Sequence, residues 1–283
     1  MPLPTVHTYR AAEAGLFVNS YLVECDDGVL VVDTNLLNAD IEALSARLRA
    51  LKKPLFGVVV THAHPDHFNG VLELVREREV PVYAAAAVAA TIREIADAKR
   101  DRWSPVYGDE WPAETYYPNT VLDDGDMVLL GDQKLSIHDI GMAESHADSY
   151  VLLHSEADTG PPGTIAFIGD LAFHDTHPYT ADGHSGAWLA ALERLPAALA
   201  DAAVLYPGHG SPATVSVLGD QRRYLLYYRE VVRRLANGSS SLSDVAKAEL
   251  EAAMESFLRS APLTWMIGLG ADAVAAELAG EGE

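Results

Sequence analysis

The sequence predicts an α/β fold, because short apolar runs typical of buried strands alternate with segments of helical periodicity. The chain has 283 residues, of which 49% are apolar and 22% charged, as in an ordinary globular protein. This length allows a substantial core, either in one large α/β domain or in two smaller ones.

The first half of the chain alternates between predicted strands and helices. It opens with a β-hairpin, in which strands 17–24 and 29–33 flank the turn signature Asp26-Asp27-Gly28. Asp33 ends this hairpin, so we expect it either to support a site residue or to cap a turn. The next elements are helix 38–51, strand 55–60, helix 71–79, strand 80–84 and helix 86–99.

The second half is richer in strands. Predicted strands cover 127–130, 135–140, 149–154 and 164–168, and a turn over 158–163 joins the last two. Helices are predicted at 221–235 and 243–259, on either side of a Gly- and Ser-rich linker.

Charge and cysteine content restrict the function. With 41 acidic and 20 basic residues the formal charge is −21, which repels phosphate backbones and disfavours a nucleic-acid partner. The single cysteine, Cys25, excludes an internal disulfide and fits a reducing compartment. No signal peptide or membrane-spanning run is visible. We therefore expect a cytoplasmic protein that acts on a small-molecule substrate, without a membrane partner.

The most informative stretch is His62-Ala63-His64-Pro65-Asp66-His67, which follows an apolar run and precedes a helical segment. Imidazoles and carboxylates are ligands of Zn²⁺, and four of them in six positions can serve two adjacent metals. The alternative is a polar loop that is rich in histidine by chance, although only 11 of the 283 residues are histidine.

Three further polar residues follow apolar segments downstream. They are His146 in Glu144-Ser145-His146, Asp170 after Phe167-Ile168-Gly169, and His209 in Tyr206-Pro207-Gly208-His209. Each occupies the place expected of a ligand presented at the end of a strand, and this pattern disfavours the chance alternative.

These seven residues, in this order, resemble the ligand set of the metallo-β-lactamase superfamily, and the resemblance extends over residues 17–212. It implies an αββα sandwich, with two facing sheets, helices outside and the metals at one edge. We expect this domain to cover 1–215 and a C-terminal helical extension, 216–283, to pack on it. The extension either covers the pocket or forms a homodimer face.

The resemblance also implies a role for each ligand. His62, His64 and His146 would bind one metal, Asp66, His67 and His209 the second, and Asp170 would bridge the two. Two zinc ions are expected, with iron or manganese as alternatives. Two such cations lower the pKa of a shared water toward about 7. Asp66 would orient the resulting hydroxide and shuttle a proton.

The expected function is therefore a dinuclear zinc hydrolase of an ester, thioester, lactone or similar carbonyl compound. The ligand spacing resembles that of glyoxalase II and of lactonases, but Phe173 and His174 stand where lactonases carry a catalytic tyrosine. The alternatives are an iron-dependent persulfide dioxygenase-like oxidoreductase, a β-lactam hydrolase and a non-catalytic metal-binding protein. Asp170 counts against β-lactam hydrolysis, because zinc β-lactamases mostly lack a bridging aspartate.

Residues 101–120 form an aromatic insertion in which no regular period is evident, so we expect a lid or binding loop. Alternatively, its aromatic side chains pack onto the body of the protein. The expected substrate contacts are Trp103 and Trp111 in this segment, and Phe173 and His174 after Asp170.

Overall fold

Two β-sheets pack face to face in the computed structural model, which describes residues 4–131, 133–155 and 163–281. Helices lie on the outer sides of the sheets, so the αββα sandwich is confirmed. Most of the predicted turn over 158–163 falls outside the described residues.

The first sheet contains six strands in chain order. They are β1 (Thr5–Arg10), β2 (Asn19–Glu24), β3 (Val29–Val32), β4 (Leu55–Val59), β5 (Val82–Ala85) and β6 (Thr120–Leu122). Strands β1 to β3 are antiparallel, which confirms the predicted hairpin, and β3 to β6 are parallel. The carboxyl ends of β3 and β4 therefore meet at one edge.

The second sheet has the order β11-β10-β9-β8-β7. Its strands are β7 (Met127–Leu130), β8 (Gln133–Gly141), β9 (Asp148–Ser155), β10 (Gly163–Gly169) and β11 (Ala202–Pro207). Only the β10–β11 pair is parallel, so the carboxyl ends of these two strands also meet at one edge.

Apolar side chains of both sheets form a common core between them. The ring of Tyr21 on β2 lies 5.3 Å from that of Phe167 on β10 and 5.2 Å from that of Tyr206 on β11. Burial of these large rings holds the sheets together and brings the ends of their strands to the same edge.

The described residues include eight α-helices. They are α1 (Asn38–Ala50), α2 (Pro65–Phe68), α3 (Val71–Val75), α4 (Ala86–Tyr107), α5 (Ser185–Ala198), α6 (Ser216–Ala236), α7 (Asp244–Phe257) and α8 (Trp265–Gly280). Helix α8 was not predicted, because its own residues are mostly apolar or small on every side and form no polar face that would mark a helical period. None of the helices in this part of the chain combines the length and apolarity needed to cross a membrane.

The expectation of an irregular insertion over 101–120 is wrong for its first third, because α4 continues to Tyr107. Pro105 lies in the last turn of this helix, so the hydrogen bond that it cannot donate is lost only near the helix end. A 3₁₀ turn at Gly108–Glu110 follows, and the chain then runs to β6 without a further helix or strand.

The C-terminal helices contact the sandwich through α5. The Glu277 carboxylate on α8 accepts hydrogen bonds from the backbone N–H groups of Ser185 (3.1 Å) and Gly186 (2.6 Å) at the start of α5. Arg229 on α6, whose side chain is only 8% exposed, pairs with Glu277 at 3.2 Å. These charge-assisted contacts hold α5, α6 and α8 in one arrangement.

A close approach also fixes the position of α8. A Cβ atom at Gly270 would lie 1.9 Å from Oγ1 of Thr180, in the loop after β10, whereas one at Gly280 would meet nothing within 4 Å. We expect Gly270→Ala to lower the free energy of unfolding by about 1–3 kcal/mol through overpacking. Gly280→Ala is the control and should leave stability unchanged or slightly higher. Equal stability of both variants in chemical denaturation would contradict this packing.

Candidate metal centre

Loops from both sheets meet at one edge of the sandwich. The backbone N–H of Ser149 donates to the carbonyl of Thr61 at 3.0 Å, which joins the start of β9 to the loop after β4. The N–H of Gly208 donates to the carbonyl of Gly169 at 2.7 Å and joins the segments that carry His209 and Asp170. Gly208 is needed there, because a Cβ would lie 2.0 Å from Asp170 Oδ1.

Two groups of candidate ligands lie at this edge, and within each group the ligand atoms are no more than 4.8 Å apart. The first group is His62, His64, Glu144 and Asp170, and the second is Asp66, His67 and His209. All seven side chains are buried, so they form an internal site rather than an acidic surface patch.

Each of the four histidines makes a hydrogen bond with its outward-facing ring nitrogen. The acceptors are Thr61 Oγ1 for His62 Nδ1 (3.1 Å), Asp182 Oδ2 for His64 Nε2 (2.9 Å), Asp33 Oδ2 for His67 Nδ1 (2.8 Å) and the Leu16 carbonyl for His209 Nδ1 (2.9 Å). Thr61 Oγ1 donates its own proton to Asp33, so it accepts from His62. These bonds orient the rings and leave the inner nitrogens as lone-pair donors, as in protein metal sites.

The inner atoms fit divalent cations. His62 Nε2 lies 3.2 Å from His64 Nδ1, and Glu144 Oε2 lies 3.2 Å from the same His64 nitrogen. Both Glu144 oxygens, Asp170 Oδ1 and His67 Nε2 are buried without a hydrogen-bond partner. Buried polar atoms that face one another unpaired are costly, and a shared cation would satisfy them together.

The charges of the site favour cations as well. Burial lowers the pKa of both His67 and His209, but neighbouring carboxylates outweigh it. Asp33, Asp66 and Asp170 raise the pKa of His67 to about 9, and Asp170 and Asp66 raise that of His209 to about 10. Burial raises the pKa of Glu144 to about 8. The negative potential that raises the pKa of His67 and His209 would also attract a divalent cation, whose binding would displace the protons of these two rings.

The structure brings together six of the seven predicted ligands, but His146 lies outside both groups. The His146 side chain is 42% exposed, and its Nδ1 lies 2.6 Å from His184 Nε2. Glu144, two residues earlier, occupies the place beside His62 and His64. The reason is Asp148, whose Oδ2 accepts from the N–H groups of Ala143 and Ser145 and thereby turns the side chain between them inward.

Two carboxylates accept hydrogen bonds from the histidines, and the sequence suggested a role for only one of them. Asp33, for which the sequence left two roles open, holds His67 and also accepts from the Thr61 N–H at 2.9 Å. Asp182, which holds His64, was missed, because it lies in a loop 118 residues away from its partner and follows no motif. Its other oxygen accepts from Tyr179 OH (3.2 Å) and Lys99 Nζ (3.3 Å).

A largely apolar pocket of about 580 Å³, including its open mouth, lies above the centre. Its floor contains His64, Asp66, Asp170 and His209, so a ligand in the pocket reaches both groups of candidate metal ligands. Its walls contain Leu16, Leu36, Pro65, Lys99, Trp103, Tyr107, Trp111, Phe173, Tyr179, Trp265, Met266 and Leu269. A concave, mostly apolar cavity with polar groups at one end is typical of a small-molecule site.

Three of the four predicted substrate contacts lie at this pocket. Trp103, Trp111 and Phe173 line it, and the Phe173 ring stacks on His209 with centroids 5.0 Å apart. His174 is not among the lining residues, because its Nδ1 donates to the Ser211 carbonyl at 2.8 Å and turns the ring away. Contact of the three aromatic side chains with substrate stays a prediction.

The sequence as a whole agrees with the fold and the site. A profile of the metallo-beta-lactamase superfamily matches residues 14–209. The chain belongs to the metallo-beta-lactamase superfamily. The resemblance carried by the histidine motif is thereby confirmed, and it places the chain in a superfamily of mostly hydrolytic enzymes.

Similar proteins differ in what they act on. The acyl-coenzyme A thioesterase MBLAC2 of Bos taurus is 28% identical over 183 residues, which are 58% of this chain and 61% of that protein. The exodeoxyribonuclease YycJ of Bacillus anthracis is 36% identical over 76 residues, covering 27% of this chain and 29% of that protein. A metallo-beta-lactamase structure from Pontibacter korlensis has a TM-score of 0.60 at 22% identity, covering 78% of this chain and 94% of that one. The chain thus spans about three-fifths of the length of the thioesterase, and the solved structure shares the fold.

Exchanges at Glu144 and His146 distinguish the two candidate ligand sets. If Glu144 is a ligand, Glu144→Gln should lose the metal of the first group, because a neutral amide replaces a charged donor of the same shape. His146→Ala should retain that metal. Elemental analysis after desalting measures both. If only the His146 variant lost metal, we would conclude that His146 is the ligand, as the resemblance implies.

An exchange at Asp182 tests whether this residue positions His64. Asp182→Asn should weaken metal binding by about 10- to 100-fold, the usual effect of removing the carboxylate behind a ligating histidine. Asp175→Asn, in the same loop but with its side chain 81% exposed, serves as the control. Competition with a chromogenic chelator reports the affinities, and equal values for the two variants would contradict the role.

Proposed function

We propose that this chain is a dinuclear zinc hydrolase that cleaves an ester, thioester, lactone or similar carbonyl substrate. The observation that supports this most is the position of two groups of buried imidazole and carboxylate donors at the floor of one apolar pocket. Nitrogen and oxygen donors without a thiolate favour zinc.

In this proposal each metal has its own set of side chains. His62, His64 and Glu144 would hold one ion, and Asp66, His67 and His209 the other. Asp170 would bridge them, because its Oδ1 lies 3.5 Å from His67 Nε2 and its Oδ2 lies 3.4 Å from His209 Nε2 and 3.9 Å from His62 Nε2. When bound, the ions would polarise the substrate carbonyl and lower the pKa of a water toward neutrality.

The protein itself contributes proton transfer and exclusion of water. Asp66 Oδ2 lies 3.2 Å from His209 Nε2 and 3.6 Å from His67 Nε2, on the metal side. Asp66 also lines the pocket, so its Oδ1 would hold the proton of the attacking water and pass it to the leaving group. The aromatic walls would exclude bulk water, which strengthens the electrostatic interactions of the reacting carbonyl with the site.

The exchange Asp170→Asn tests the proposal. An amide offers one good oxygen donor and no charge, so we expect weaker binding of the second metal and a loss of kcat by orders of magnitude. The fold should be retained. If Asp170 only capped a turn, asparagine would serve as well, and the variant would keep two metals and near-normal turnover.

Elemental analysis and turnover are measured on the same preparation, with chromogenic ester, thioester, lactone and β-lactam substrates. Zinc-dependent cleavage of an ester, thioester or lactone supports the proposal. One tightly bound iron without a second metal would contradict it and favour an oxidoreductase.

A further inference from the structure

We infer that α4 and α8 form two walls of a binding site for the uncharged, linear acyl group of the substrate, and that α8 limits the acyl length. This inference rests on the proposed function for the reaction, but it concerns a surface that is separate from the candidate metal ligands. The C-terminal extension would then determine specificity.

The first wall is one face of α4. Lys99, Trp103 and Tyr107 are spaced four residues apart, so their side chains lie one above another on the helix, and all three line the pocket. The Tyr107 ring stacks on Trp111 with centroids 6.0 Å apart, which continues the aromatic surface beyond the end of the helix.

The second wall is the N-terminal end of α8. Trp265, Met266 and Leu269 line the same pocket. Met266 is buried, whereas Trp265 is 46% exposed at the mouth. A large aromatic side chain that is half exposed beside an apolar pocket leaves apolar area for a ligand to cover.

Contacts of α8 with α6 and with the loop after β10 fix the position of this second wall. The hydroxyl of Tyr228 on α6 donates to the carbonyl of Ile267, and Gly270 packs directly against Thr180. Thr180 lies between Tyr179, a lining residue, and Asp182, the acceptor of His64 Nε2. The loop after β10 therefore sets the distance between α8 and the metal centre.

The chemistry of the two walls selects an uncharged group. Lys99 is the basic residue of the α4 wall, and its Nζ lies 3.3 Å from Oδ1 of Asp182. The same oxygen also accepts a hydrogen bond from the hydroxyl of Tyr179. The remaining contacts that α4 and α8 contribute to the pocket are aromatic or aliphatic, among the residues that the structure describes. With the reacting carbonyl at the polar floor, the chain attached to it would extend between these walls.

Burial of successive methylene groups has a measurable effect. Each methylene transferred from water to such a surface should raise kcat/KM by roughly fourfold until the chain reaches the end of the pocket. The metal-loaded protein is assayed with p-nitrophenyl esters of acetate, butanoate, hexanoate, octanoate and decanoate. We expect kcat/KM to rise with length and then to level off or fall.

Two variants of α8 test its role in setting that length. Leu269→Trp fills the pocket and should move the optimum to a shorter ester, whereas Trp265→Ala removes wall area and should reduce the gain per methylene. Leu226→Ala is the matched control, because Leu226 is an apolar residue on α6 that is 44% exposed and does not line the pocket. Its chain-length profile should match that of the unaltered protein.

Equilibrium binding separates this inference from the proposed reaction. Trp103, Trp111 and Trp265 line the pocket, so tryptophan fluorescence should report the binding of the corresponding alkyl carboxylates without turnover. If no ester is cleaved but carboxylate binding tightens with length and Leu269→Trp ends the tightening at a shorter chain, the reaction is wrong and the acyl site is supported. Cleavage or binding that is independent of chain length, or a length dependence that both α8 variants leave unchanged, would overturn the inference.

Discussion

The buried convergence of imidazole nitrogens and carboxylate oxygens at one edge of the sandwich is the constraint on which the rest of the site depends. Such donors repel one another unless a cation lies between them. Each histidine is oriented by an acceptor behind it, and these acceptors come from separate parts of the chain: Leu16, Asp33, Thr61 and Asp182. The two sheets must therefore pack correctly before the inner atoms can meet, so folding and metal binding are expected to support each other.

The pocket depends on the same arrangement. Asp182 contacts a candidate ligand, His64, with one oxygen and two pocket residues, Lys99 and Tyr179, with the other. The loop that carries it also receives α8 at Thr180. The floor and the walls are thus coupled through one short loop, so we expect a change in the C-terminal extension to alter the shape of the pocket without replacing a metal ligand.

Much of the fold and part of the pocket could be predicted from the sequence. The hairpin, the strand before His62 and helices α6 and α7 have clear periodicity, and the histidine motif carries its chemistry in adjacent residues. The prediction was wrong at the start of the aromatic insertion, residues 101–107. No regular period was expected over 101–120, but α4 continues through Pro105 to Tyr107 and places Lys99, Trp103 and Tyr107 on one face.

The sequence by itself determined the α/β class and the types of donor in the site, because strand periodicity and a compact histidine motif are local properties. Its resemblance to the superfamily implied the sandwich and the edge at which the site lies. Only the tertiary structure decided that Glu144 faces the site while His146 faces His184, since the Asp148 carboxylate shapes that loop by bonding its backbone. The same holds for Asp182 and for α8. Their roles depend on which distant segments meet them, and no spacing along the chain encodes a contact across the sandwich.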